Sequence, residues 1–170
     1  MRRAFVAVAV LAPVLALSQD PTPASTPVPR EGTVSSVVFS SATLTAMPLG
    51  KDRVQYSYES LGISTSPTGE GLLHEASMRC MGGFHRVNGA IDDESGSCIF
   101  TRPDGDQVFY VYEASGKPHV RVTGTFTYVG GTGKMESITG GGEFTRRTLP
   151  HAKEGTSQSI SKGKGQYRLP

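Results

Sequence analysis

The stretch Val122-Thr-Gly-Thr-Phe-Thr-Tyr-Val-Gly-Gly-Thr-Gly-Lys-Met-Glu-Ser-Ile-Thr-Gly-Gly-Gly-Glu-Phe144 decides the fold. It reads as one strand, a glycine-built corner and the start of a second strand. Val122, Phe126 and Tyr128 alternate with Thr123, Thr125 and Thr127, the period-two pattern of a strand with one buried face. Seven glycines then fall between Gly124 and Gly142. Glycine is unfavourable inside a strand, so this density implies bends, bulges or close backbone approach. Gly130, Gly131 and Gly133 mark one side of the corner, and Gly140 and Gly142 the other.

Outward from this stretch the same alternation recurs. Tyr56 and Tyr58 share a face with Val54, Tyr110 and Tyr112 with Val108, and Cys80 with Leu72, His74, Ala76 and Met78. Further strands are expected at 33–40, 86–91, 97–101, 142–146 and 159–169. No segment of eleven or more residues carries an apolar face at helical spacing. Turn chemistry separates the strands at Pro67-Thr68-Gly69, Asp93-Glu94-Ser95-Gly96, Pro103-Asp104-Gly105-Asp106 and Ser115-Gly116-Lys117-Pro118. The fold class is therefore all-β: a small antiparallel up-and-down barrel of about eight strands, which leaves no exposed edge, with a two-sheet sandwich as the alternative.

The chain opens with Arg2 and Arg3, an apolar run from Ala4 to Leu17, and small residues at Ala16 and Ser18, which reads as a secretory signal over 1–18. A Pro/Ser/Thr-rich spacer over 19–32 and one domain over 33–170 follow. The expected location is periplasmic or extracellular, with no integral membrane segment after cleavage. Of 17 Lys and Arg, two leave with the signal, so 15 basic face 15 acidic residues, and no clustered basic face points to nucleic acid. Cys80 and Cys98 are the only cysteines and are expected to form a disulfide, as an exported pair does.

The segment Gly130-Gly131-Thr132-Gly133-Lys134-Met135-Glu136-Ser137-Ile138-Thr139-Gly140, followed by Gly142 and Phe144, resembles the glycine-rich hairpin of the allene oxide cyclase and dirigent-type barrels. Arg79-Cys80, Gly96-Ser97-Cys98 and Asp104-Gly105-Asp106 are similar to features of exported bacterial members of that group. The likeness spans about half of the domain. It implies a barrel with a central cavity, often homo-oligomeric, of a kind that holds fatty-acid or phenolic molecules and guides their cyclisation or coupling. The matching positions shape backbone, and none of the cyclase's catalytic residues maps onto this chain.

The chemistry-bearing residues support no catalytic set. Gly131-Thr132-Gly133-Lys134 has the look of a phosphate loop, but Tyr128 stands where its first glycine belongs and Met135 where Ser or Thr belongs. Asp92, Asp93 and Glu94, and Asp104 with Asp106, lack calcium-loop spacing and read as solvated turns. Alternation places His74 inward, where it either satisfies a hydrogen bond of the barrel or grips a ligand. Tyr56, Tyr58, Tyr110, Tyr112, Phe126 and Tyr128 either pack the core or line a cavity mouth. The expectation is an exported barrel that binds a small apolar molecule without metal or organic cofactor. The alternatives are an isomerase or cyclase of the allene oxide cyclase type and an envelope scaffold with a filled barrel.

Overall fold

A computed structural model describes residues 28–170. The expected signal over 1–18 and the spacer up to residue 27 lie outside the described residues. Eight antiparallel strands close into a barrel, β1 (Glu31–Pro48), β2 (Arg53–Thr65), β3 (Ala76–Val87), β4 (Ala90–Thr101), β5 (Gln107–Lys117), β6 (Arg121–Gly131), β7 (Thr139–Thr148) and β8 (Thr156–Arg168). Each strand pairs with its sequence neighbour, and β1 pairs with β8 along a seam from Glu31 opposite Arg168 to Thr43 opposite Thr156. The barrel was the expected architecture, and the sandwich alternative is excluded by closure.

The opening stretch builds β6, a single 3-10 turn at Gly133–Met135, and β7. Gly133 adopts φ +55, which favours glycine, and a side chain there would also have no room: a Cβ would lie 2.0 Å from Asp106 Oδ1. That approach lets Asp106 Oδ2 accept the Lys134 backbone N–H at 3.1 Å.

Two expected elements are corrected. The strand expected at 86–91 is instead a two-residue hairpin, in which Asn88 (φ 49) and Gly89 (φ 80) turn between Val87 and Ala90. Asn-Gly suits this turn because both central residues need positive φ. The turn expected at Asp93-Glu94-Ser95-Gly96 lies inside β4, paired to β3 and β5. A register shift between Ile91 and Glu94 absorbs the extra residue, so that Glu94, Gly96, Cys98 and Phe100 face inward together. Cys80 and Cys98 sit directly opposite on β3 and β4 and form the expected disulfide inside the barrel.

In an up-and-down barrel, alternate connections gather at opposite ends. Those after β2, β4 and β6 supply Leu72, Leu73, Arg102, Met135 and Ile138, all buried, which plug one end. Arg102 Nη1 donates to the Leu72 carbonyl, and Asp104 pairs with Arg102 and with Lys134 Nζ, each at 3.3 Å. Asp104 is thus a stitch between loops and not a solvated turn residue. The hairpins after β1, β3 and β5 and the connection after β7 surround the other end, which stays open.

Candidate functional site

The lumen holds a cavity of about 240 Å³ that reaches the open end, with Leu73 in its floor. Eight strands enclose an interior just wide enough to be filled by side chains or to hold one small ligand. Here the outcome is set by residue size. Three inward positions of β1 face small residues of β8, with Ser36 opposite Gly163, Ser40 opposite Ser159 and Ala42 opposite Ser157, while Val38 and Leu44 are the larger residues of this wall. The facing wall is aromatic: Phe100, Tyr110, Tyr112, Phe126 and Phe144 line it. Ring centroids of Tyr110 lie 5.2 Å from both Phe100 and Phe126, and those of Tyr112 and Phe144 are 5.9 Å apart edge to face. Large residues clustered on one side leave the serine side empty.

A buried ion pair stands in this apolar wall. Glu94 of β4 is 2% exposed and receives a two-point contact from Arg146 of β7, with Nη1 donating to Oε1 at 2.8 Å and Nη2 donating to Oε2. Tyr58 Oη donates to Oε1 at 2.9 Å and Tyr112 Oη at 3.4 Å. The carboxylate is therefore satisfied on both oxygens, whereas the guanidinium keeps donors beyond the two it spends on Glu94. Burial alone would lower the Arg146 pKa, but the Glu94 contact outweighs it and raises it, so the cation persists. Burial pushes Tyr112 up to about 12 and also raises Tyr110 and Tyr128. At neutral pH these phenols are hydrogen-bond donors and not bases.

The expected site residues separate. Tyr56, Tyr58, Tyr110, Tyr112 and Phe126 line the cavity together, with Tyr56 stacked on Phe84 at 4.9 Å. Tyr128 is buried behind this wall, packed against Phe126 at 5.5 Å, and its hydroxyl finds no partner among the described residues. His74 does not point into the lumen. The strand expected from Leu72 begins only at Ala76, because Glu75 turns the chain at φ 53. His74 Nδ1 instead accepts the Ser66 backbone N–H at 3.2 Å and lies 3.3 Å from Thr65 Oγ1, which ties the β2–β3 loop to itself. Gly130, Gly131, Gly133, Gly140 and Gly142 shape the corner at the plugged end and lie outside the cavity wall.

The two most consequential residues, Glu94 and Arg146, went unrecognised in the sequence. Parity counted back from Cys98 through Gly96 places Glu94 inward, and parity counted on from Phe144 places Arg146 there. Among the described residues no helix is long and apolar enough to cross a membrane.

Compared with known proteins, the sequence matches no family profile and no curated protein. Its fold is similar to that of a solved structure, the pterocarpan synthase dirigent protein GePTS1, with a TM-score of 0.50 at 11% identity, covering 89% of this chain and 98% of that one. The chain thus has a dirigent-type β-barrel fold. At that identity the likeness concerns the fold alone.

Proposed function

We propose that this protein is an exported barrel that binds one small, mostly apolar molecule in its lumen, held by a polar group against the Glu94–Arg146 pair. The observation that carries this reading is a cavity of about 240 Å³, open at one end and walled by aromatic rings, with a single charged pair facing it. An apolar pocket with a few convergent polar groups is the usual form of a small-molecule site, and this volume sits just below the roughly 300–1,000 Å³ common for drug-sized ligands. The ligand is accordingly small, on the scale of one or two fused rings. The raised phenols support binding over proton abstraction, because a tyrosine that stays protonated cannot act as base at neutral pH. Export rests on the basic-then-apolar leader of the sequence and on the Cys80–Cys98 disulfide, which suits an oxidising compartment.

The test is titration with a neutral fluorescent probe, 2-naphthol, against the native protein and against Ser161→Phe. Ser161 lines the small-residue wall, so a phenyl ring there fills the lumen. Saturable binding in the native protein and its loss in a folded Ser161→Phe variant is the expected result. Equal binding in both would refute the assignment of the site.

A further inference from the structure

The inner pair and the mouth differ in charge. Glu94 is the one carboxylate among the residues lining the cavity, and Arg146 neutralises it. The remaining ionisable cations and imidazoles of the lining, Arg86, His119 and His151, all stand at the open end, close to the hairpins after β3 and β5 and in the connection after β7. Arg86 is exposed and makes no ion pair among the described residues. Asp93 on the neighbouring strand is already held by His85, whose Nδ1 lies 2.8 Å from Asp93 Oδ2. His119 Nδ1 donates to the Thr148 carbonyl at 3.1 Å, which leaves its Nε2 uncommitted.

The spacing between these two polar levels follows from register. Arg86 pairs with Ile91, and Ile91 and Glu94 pair with Gly116 and Ala114, two residues apart on β5 because the register shift takes up the extra residue of β4, so the levels are about 7 Å apart at ~3.3 Å per residue. Beside these polar groups the lining is apolar, with Phe84, Ile91 and Phe144.

Resting on the reading of the lumen as a binding site, we infer that its ligand is an amphiphilic anion. A carboxylate or comparable acidic group sits at the mouth on Arg86, an apolar body about 7 Å long fills the lumen, and a neutral hydroxyl or carbonyl oxygen meets the donors that Arg146 does not spend on Glu94. The inner end cannot be the anionic one, because Glu94 cancels the Arg146 charge. The mouth offers uncompensated positive charge and so selects an acid over an amide or amine.

The rigid probe 6-hydroxy-2-naphthoate has its carboxylate and hydroxyl at opposite ends of two fused rings. Its binding is compared with that of 6-hydroxy-2-naphthamide, which lacks the charge, and of 2-naphthoate, which lacks the hydroxyl. The acid is expected to bind at least about tenfold tighter than the amide, roughly the effect of one charge-assisted contact. Arg86→Gln should bring the acid and amide affinities together and Arg86→Glu should invert their order, with retained folding checked by thermal melting. Equal binding of acid and amide overturns the anionic assignment while the lumen remains a binding site. A preference for the acid that survives Arg86→Gln also overturns it. If no naphthalene binds, the binding reading itself fails.

Discussion

Arg146→Met isolates what the Glu94–Arg146 pair contributes. Removing the guanidinium leaves a carboxylate with a side chain only 1% exposed, still hydrogen-bonded by two phenols but with no countercharge. Breaking a buried pair from one side typically costs ~3–5 kcal/mol. Arg146 is 17% exposed towards the lumen, so water can reach its vacated place and the lower end, about 3 kcal/mol, is expected. The compensating double variant, Glu94→Met with Arg146→Met, removes both charges and should recover most of the deficit. The deficit should also depend on pH with a definite sign. An unpaired buried carboxylate is relieved by protonation, so Arg146→Met should lie closer to wild type at pH 5 than at pH 7, by up to about 1.4 kcal/mol per pH unit. Urea unfolding at the two pH values, with equal m-values confirming comparable native states, reads all three quantities. A deficit under about 1 kcal/mol, or one unchanged by pH and by the second substitution, would show that the pair is solvated and not the buried anchor described above.

Three further outcomes follow from the same structure. Replacing both Cys80 and Cys98 by serine should lower unfolding free energy by about 3 kcal/mol on the chain-entropy treatment of a loop with sequence separation 18, as read from denaturant midpoints; no change would place that loop's constraint elsewhere. In alkaline spectrophotometric titration, burial should keep Tyr110, Tyr112 and Tyr128 from ionising near pH 10. Because their folded pKa values are raised, their stabilisation is complete below about pH 10 and lost as pH rises through about 12 for Tyr112, so unfolding and late phenol ionisation should coincide; a single phase near pH 10 would contradict their burial. Gly133→Ala should cost about 2 kcal/mol in urea unfolding, since it combines left-handed strain with displacement of Asp106, and a loss under about 0.5 kcal/mol would mean that the corner readily rearranges.

Much of the architecture was legible because strand parity is local. Val122, Phe126 and Tyr128 announce an inward face within seven residues, and the glycine corner beside them announces its own bend. The failures occur where parity is interrupted. Asp92-Asp93-Glu94 contains a register shift, so residues that resemble a polar turn carry a buried carboxylate into the lumen. His74 fails in the opposite way: it fits the alternation of β3, but the positive φ at Glu75 detaches it from the strand. Arg146 and Arg147 are indistinguishable by composition, and only the inward parity of Phe144 separates them. The cavity is less legible still, because it is a difference of volumes between walls drawn from strands more than a hundred residues apart. Serines at Ser40 and Ser159 look like ordinary polar strand residues until closure sets them opposite each other, with hydroxyls 2.9 Å apart.

The β1–β8 seam also bears on how the chain reaches this state. The first strand cannot complete its pairing until the last has formed, so its edge stays open through most of folding, and contacts of such long sequence separation slow the search. An open edge thirteen residues long is a template for the wrong partner, including the final strand of another copy. The outward positions of β8 offer a safeguard: Lys162, Lys164, Gln166 and Arg168 are all exposed and three are cationic. Late strands from two chains therefore repel one another, while Glu31 and Glu143 wait on the correct neighbours at 3.5 Å from Arg168 and 3.0 Å from Lys164. Worth little as surface ion pairs once the barrel is shut, these charges act chiefly on the unfinished chain, where they discourage strand exchange between molecules.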